Sequence, residues 1–219
     1  NAGESVGIVG KTGSGKTTLV DLILRTYNVE DGTLFIDDQD VNDISIHSVR
    51  EGCAYVPQDS FLFSDSIERN IGFSFDEADH EQGEQAAKMA DVHDDIIDFK
   101  EGYDTVLGER GVTVSGGQKQ RLSIARAIAK KPEIFIFDDS FSALDFKTDS
   151  ALRKALKAHT KDATTIIVAQ RISTILNADK IIVLDDGHMA GIGSHKELMK
   201  NCEVYRQIAM SQLSEEELA

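Results

Sequence analysis

One short segment, Gly10-Lys11-Thr12-Gly13-Ser14-Gly15-Lys16-Thr17, constrains this chain more than any other. It matches the pattern of a glycine, four residues, then Gly-Lys-Thr. It also stands where that pattern has a mechanism, between the apolar run at 6–9 and a helical pattern at 16–25. Glycines let successive backbone N–H groups close around a phosphate at the positive end of the helix that follows. Lys16 is then placed to reach the β- and γ-phosphates of a nucleotide, and the Thr17 hydroxyl to ligate Mg²⁺. Gly10, Thr12, Gly13, Ser14, Gly15, Lys16, Thr17 and Thr18 are the candidate phosphate-binding positions. Background composition alone would produce the pattern in roughly one chain in a hundred of this length, and correct flanks make an accident rarer.

The apolar runs at 6–9, 134–137, 166–169 and 181–184 lack the alternation of a sheet with one wet face. They therefore suit parallel strands covered on both faces. Helical patterns lie between them, at 118–129 with Leu122, Ala125 and Ile128 on one face, and at 148–158. The class is α/β. Between 61 and 131 strand signals vanish while helical ones continue through 77–90, which predicts a helical subdomain at about 59–131 inserted into a core of 1–58 and 132–219. Closing helices are expected over 196–212.

With 38 acidic against 23 basic residues the net charge is −15, which repels nucleic acid and anionic lipid at long range. Nucleic acid is accordingly excluded as a main partner. Cys53 and Cys202 lack metal-site or disulfide-framework spacing and are expected to be reduced thiols. No apolar run approaches the eighteen or so residues needed to cross a bilayer. The chain begins at Asn1 with a buried strand and nothing before it to pair with, as expected of a piece of a longer protein.

The apolar strand ending Phe137-Asp138-Asp139 places acids where a Mg²⁺ water shell would sit beside the phosphate loop. Further along, Val114-Ser115-Gly116-Gly117-Gln118-Lys119-Gln120-Arg121 closely resembles the signature motif of ABC cassettes. Tyr55-Val56-Pro57-Gln58 resembles their Q-loop, and Ser142-Ala143-Leu144-Asp145 their D-loop. The resemblance covers essentially all of residues 1–219, as one ABC nucleotide-binding domain. It implies a P-loop NTPase (RecA-like) parallel-sheet core with an inserted α-helical subdomain, the family's N-terminal antiparallel strands being largely missing. It also implies ATP and Mg²⁺, with Thr17, Gln58 and Asp138 at the metal, and Ser115, Gly116, Gly117, Gln118 and Asp145 among the nucleotide-contacting positions. In this family the signature serine and glycines meet ATP held by an opposing subunit. Phe61-Leu62-Phe63-Ser64-Asp65-Ser66-Ile67, Asn70-Ile71 and Gly108-Glu109-Arg110-Gly111 resemble the exporter-type segments that touch a transmembrane domain's coupling helices.

The chain departs from the family twice. After the Walker B aspartate the family usually has a glutamate that orients the attacking water, and here stands Asp139, one methylene shorter. Misplacing a catalytic group by about 1 Å can cost on the order of a hundredfold. In Val168-Ala169-Gln170-Arg171 the family's H-loop histidine is replaced by Gln170, which donates a hydrogen bond but carries no proton or charge. The candidate catalytic positions are thus Asp139, Gln170, Lys16 and Gln58. Both departures resemble the degenerate half of a bacterial heterodimeric multidrug-type ABC transporter, whose intact signature serves a competent site on a different subunit. The expected function is ATP binding with slow hydrolysis, coupled to export, on the cytoplasmic face of the cell membrane. A rival is a nucleotide-sensing dimerisation module with little useful hydrolysis. A soluble repair or translation protein fits poorly with the acidic charge and the absence of a long coiled-coil insertion.

Elsewhere, His80, Glu81, Glu84, Asp91, His93, Asp94 and Asp95 are expected to be solvated helix faces, and His195 to be structural.

Overall fold

The computed structural model describes residues 1–74, 79–108, 114–159 and 162–214, without the side chains of 146 and 159. Glu109, Arg110 and Gly111 of the exporter-type turn lie outside these residues. Two compact units emerge, one formed by Asn1–Cys53, Glu133–Asp139 and Asp162–Ala219, the other by Ala54–Pro132 and Ser140–Lys161.

In the first unit, β1 (Ser5–Gly10) leads through the glycine-rich loop to α1 (Lys16–Ile23). A two-stranded hairpin of β2 (Phe35–Ile36) and β3 (Gln39–Asp40) follows, then a 3₁₀ turn at Val41–Asp43 and α2 (Ile46–Gly52). β4 (Cys53–Val56) runs across the boundary between the units. The chain returns in β5 (Ile134–Asp138), and later in β6 (Thr164–Val168), the short α8 (Ile172–Ile175), β7 (Lys180–Asp185) and β8 (His188–Gly193). It closes with α9 (His195–Asn201) and α10 (Glu203–Gln212).

The order β5-β6-β1-β7 is parallel throughout, and β8 joins β7 antiparallel. Register aligns the carboxyl ends: Asp138 pairs with Val168, and Val168 with Ile8. Both faces are covered. Ile8, Val20, Ile136 and Val168 share one core, while Val9, Ile172, Ile175, Val183 and Tyr205 share the other. Neighbours Ile8 and Val9 thus enter different cores, which explains the unbroken apolar run. Gly7 lets α8 approach β1, because a Cβ there would lie 2.7 Å from Ile175 Cβ.

The second unit contains α3 (Ile67–Ile71), α4 (His80–Met89), α5 (His93–Ile97), a 3₁₀ turn at Gly102–Asp104, α6 (Gly116–Ala129) and α7 (Phe146–His159). Ser66, Asp79 and Ser115 cap α3, α4 and α6 through side-chain oxygens. Ile67, Ile71, Ala87, Ile96, Leu122 and Ile124 are buried in its core. At α6, Arg126 donates to the carbonyls of Asn70 (2.7 Å) and Phe61 (2.9 Å) and to Asn70 Oδ1 (2.8 Å). Its guanidinium also lies over the rings of Phe63 and Phe73.

Some sequence expectations need correcting. The helix predicted at 16–25 stops at Ile23, because Arg25 turns to φ 52 and spends its guanidinium on the carbonyls of Val41 and Ile44. α6 begins at Gly116, two residues before the predicted start, because Ser115 and Gln118 form a capping box. The acidic cluster is less solvated than expected: Asp95 accepts from Gln118 Nε2 (2.8 Å) and Arg121 (2.6 Å), and His93 Nδ1 lies 2.9 Å from the Tyr103 hydroxyl. No group of three or more metal-ligating side chains occurs among the described residues. His195 has the structural place expected of it, its Nδ1 2.8 Å from the hydroxyl of buried Tyr205.

Candidate functional site

In the first unit the site starts at the carboxyl end of β1. Gly10 admits no side chain: a Cβ would fall on the Leu184 carbonyl and within 2.6 Å of Ser14 Oγ. Gly13 (φ 82) and Gly15 (φ 97) take the left-handed conformation that turns the loop back on itself, and Ser14 N between them donates to Lys11 O at 3.1 Å. Gly15 caps α1 without a side-chain bond, and the first turn of α1 holds no acid to neutralise its dipole. Lys16 Nζ donates to the carbonyls of Gly10 (2.9 Å) and Lys11 (2.8 Å), so the ammonium is held inside the loop. Burial lowers the Lys16 pKa, and the charges of Asp138 and Asp139 oppose that shift. Ser14 Oγ is buried without a hydrogen-bond partner among the described residues. A cation, free helix N–H groups and an orphaned buried hydroxyl around one loop fit a bound phosphate group.

Asp138 ends β5 and is buried, and Asp139 follows at φ 48. Aspartate is among the few non-glycine residues enriched in that left-handed region. Asp139 N continues the sheet by donating to Val168 O at 2.9 Å, which brings its carboxylate to the end of β6. There Gln170 meets it, with Nε2 2.8 Å from Asp139 Oδ2. Burial raises the Asp139 pKa, the backbone N–H of Gln170 lowers it, and Asp138 raises it again.

In the second unit, Gln58 lies exposed just after β4. Ser140 Oγ donates to Val56 O at 2.6 Å. Ser115 and Gln118 cap α6 reciprocally, with Ser115 N to Gln118 Oε1 at 2.9 Å and Gln118 N to Ser115 Oγ at 3.2 Å. Gly116 and Gly117 open that helix and leave its N-terminus bare of side chains. Asp145 accepts from Thr148 Oγ1 (2.7 Å), Thr148 N (3.0 Å) and Lys147 N (3.1 Å) as α7 begins. These bonds to Thr148 and Lys147 lower its pKa.

Residues 1–142 match the family profile described as ABC transporter. The chain belongs to the ABC transporter family. It is 45% identical over 213 residues, 97% of its length, to the uncharacterized ABC transporter ATP-binding protein YfiB of Bacillus subtilis. It is 46% identical over 206 residues, 94% of its length, to a putative multidrug export ATP-binding/permease protein of Staphylococcus aureus. Among solved structures it superposes on a bacterial Atm1-family ABC exporter with ATP bound, at TM-score 0.93 and 41% identity over 98% of the chain. It spans 37%, 36% and 37% of the lengths of these proteins, respectively. No helix among the described residues is long and apolar enough to cross a membrane.

Within this ABC domain the structure gathers the loop 10–17, Asp138, Asp139 and Gln170 at adjacent strand ends, and sets Ser115, Gly116, Gly117 and Gln118 on a single helix start. Three contributors escape sequence reading. Gln120 is buried and accepts from Ala143 N at 3.2 Å, tying α6 to the segment before Asp145. Asp95 holds Gln118 and Arg121, although nothing local to residues 91–95 announces it. Gln212 reaches the backbone around Gln170 from 42 residues away, a long-range contact without local signal.

Proposed function

We propose that this chain is the ATP-binding domain of an exporter-type ABC transporter, holding MgATP in its own loop and turning it over slowly. Its signature segment completes a faster site on a second cassette carried by a different subunit, and cassette closure moves a transmembrane domain through its coupling helices. The observation that carries this reading is the Gln170–Asp139 pair. A carboxylate one methylene short, met by a neutral amide that carries no proton or charge, is a poor orienter of attacking water. Lys16 and the N–H groups of 13–18 are the proposed phosphate contacts, with Thr17 and Asp138 as proposed Mg²⁺ ligands. Bound Mg²⁺ neutralises phosphate charge. Ser115, Gly116, Gly117, Gln118 and Asp145 are assigned to the partner's nucleotide. Likeness to a protein named for multidrug export supports export, and with it a proposed position on the cytoplasmic face of the membrane. The same Gln170–Asp139 pair also favours a second reading, a nucleotide-sensing module whose ATP holds the dimer together.

Two substitutions in the assembled transporter separate these roles. A Cβ at Gly116 meets nothing within 4 Å, so Gly116→Asp fits and sets a carboxylate where a phosphate would bind. Gly116→Asp is expected to lower total ATP turnover at least about tenfold, and Lys16→Met by less than about threefold. Equal losses would contradict the asymmetry, and no turnover in the parent would favour the sensing module.

A further inference from the structure

α8 begins at Ile172 with Arg171 as its N-cap, and Arg171 provides no side-chain cap. The Ile172 N–H is satisfied instead from α10, by Gln212 Oε1 at 2.8 Å. The other half of the same amide, Nε2, donates to the Gln170 carbonyl at 2.9 Å. One side chain thus grips the backbone on both sides of Arg171. The gripped stretch is anchored at its other end by the sheet, where Ala169 N donates to Ile8 O at 3.0 Å. Between these anchors the direction of the Gln170 side chain is set, and that side chain delivers Nε2 to Asp139 at 2.8 Å. Gln170 and Gln212 also line one cleft of about 340 Å³ with Gly10, Lys11 and Thr12, so this amide chain borders the phosphate loop.

Loss of the Gln212 grip would leave the Ile172 N–H without its cap and free the 170–172 backbone to rotate. The first consequence is loss of aim at Asp139, because core packing of Ile172 and Ile175 holds α8 on β1 independently. We propose that Gln212 is a positioning residue for the reaction: through the backbone at 170 and 172 it fixes where residue 170 meets the carboxylate of Asp139. The C-terminal helix α10 is thereby wired to the hydrolytic side of the phosphate loop. The proposal rests on the reading of Asp139 and Gln170 as the hydrolytic pair. Because the grip is on backbone, it is expected to act equally when residue 170 is histidine.

The test uses the assembled transporter, with the partner site's catalytic acid neutralised, and measures kcat and KM for MgATP at this site. Gln212→Leu is expected to lower kcat at least about fivefold with KM within about twofold, both in the parent and in an Asp139→Glu/Gln170→His background. In a Gln170→Ala background, Gln212→Leu is expected to add less than about twofold, since nothing is left to aim. An unchanged kcat, or an equal loss on top of Gln170→Ala, overturns the proposal. Should Gln212→Leu fail to fold, Gln212→Glu keeps the acceptor for Ile172 N, loses the donor to Gln170 O, and is read against the same outcomes. If Asp139→Glu/Gln170→His is no faster than the parent, the weakened-site reading fails while the effect of Gln212 is still read on the parent rate.

Discussion

Asp139 combines three constraints in one residue: a left-handed backbone at φ 48, a buried carboxylate, and an amide donor at 2.8 Å. Burial raises its pKa. Between the ordinary aspartate value and the raised one, the folded chain therefore holds a proton that the unfolded chain has released. Stability contributed by this group is full below that window and declines as pH climbs through it. Asp139→Asn abolishes the titration and keeps an oxygen to accept from Gln170. Its stability relative to the parent, read by urea unfolding, is expected to improve from about pH 4 to about pH 7. A pH-independent difference would show that burial of this carboxylate carries no penalty.

At the scale of elements, α6 carries the most weight in the second unit, with the signature at its start and Arg126 three turns on. Burial lowers the Arg126 pKa to about 10, which marks a guanidinium short of water and reliant on its carbonyl partners. Arg126→Met leaves the carbonyls of Asn70 and Phe61 without this donor, and is expected to cost roughly 2–4 kcal/mol in urea unfolding. A loss below about 0.5 kcal/mol would show that water replaces the guanidinium readily. Elements with a strong period were legible from residues alone. The run at 6–9 carries no polar alternation because Ile8 and Val9 enter different cores, and the spacing of Leu122, Ala125 and Ile128 announces α6 though not its cap at Ser115. Hairpins were harder. β7 and β8 turn on Asp186 and Gly187, at φ 47 and 77, and β2 and β3 on Asp37 and Asp38, at φ 49 and 63. The Asp-Gly signal was available for the first. The second has two-residue strands too short to carry a period. Within the site, Lys16, Asp139 and Gln170 were legible as motif positions. The 2.8 Å amide bond and the Gln212 grip depend on side chains meeting across distant segments, which no local pattern encodes.

For the whole molecule, a net charge of −15 accompanies an ABC transporter fold matched at TM-score 0.93 over 98% of the chain. The chain spans little more than a third of the length of the curated relatives it matches, and it is proposed to bring one loop and one signature to an exporter assembled with further domains. Asp139 and Gln170 together are proposed to limit hydrolysis at this loop. The direct measurement is single-site ATP turnover in the assembled transporter carrying Asp139→Glu and Gln170→His, with the partner's catalytic acid neutralised. A rise of at least about tenfold over the parent is expected, with either change alone giving much less. Turnover equal to the parent's would contradict it.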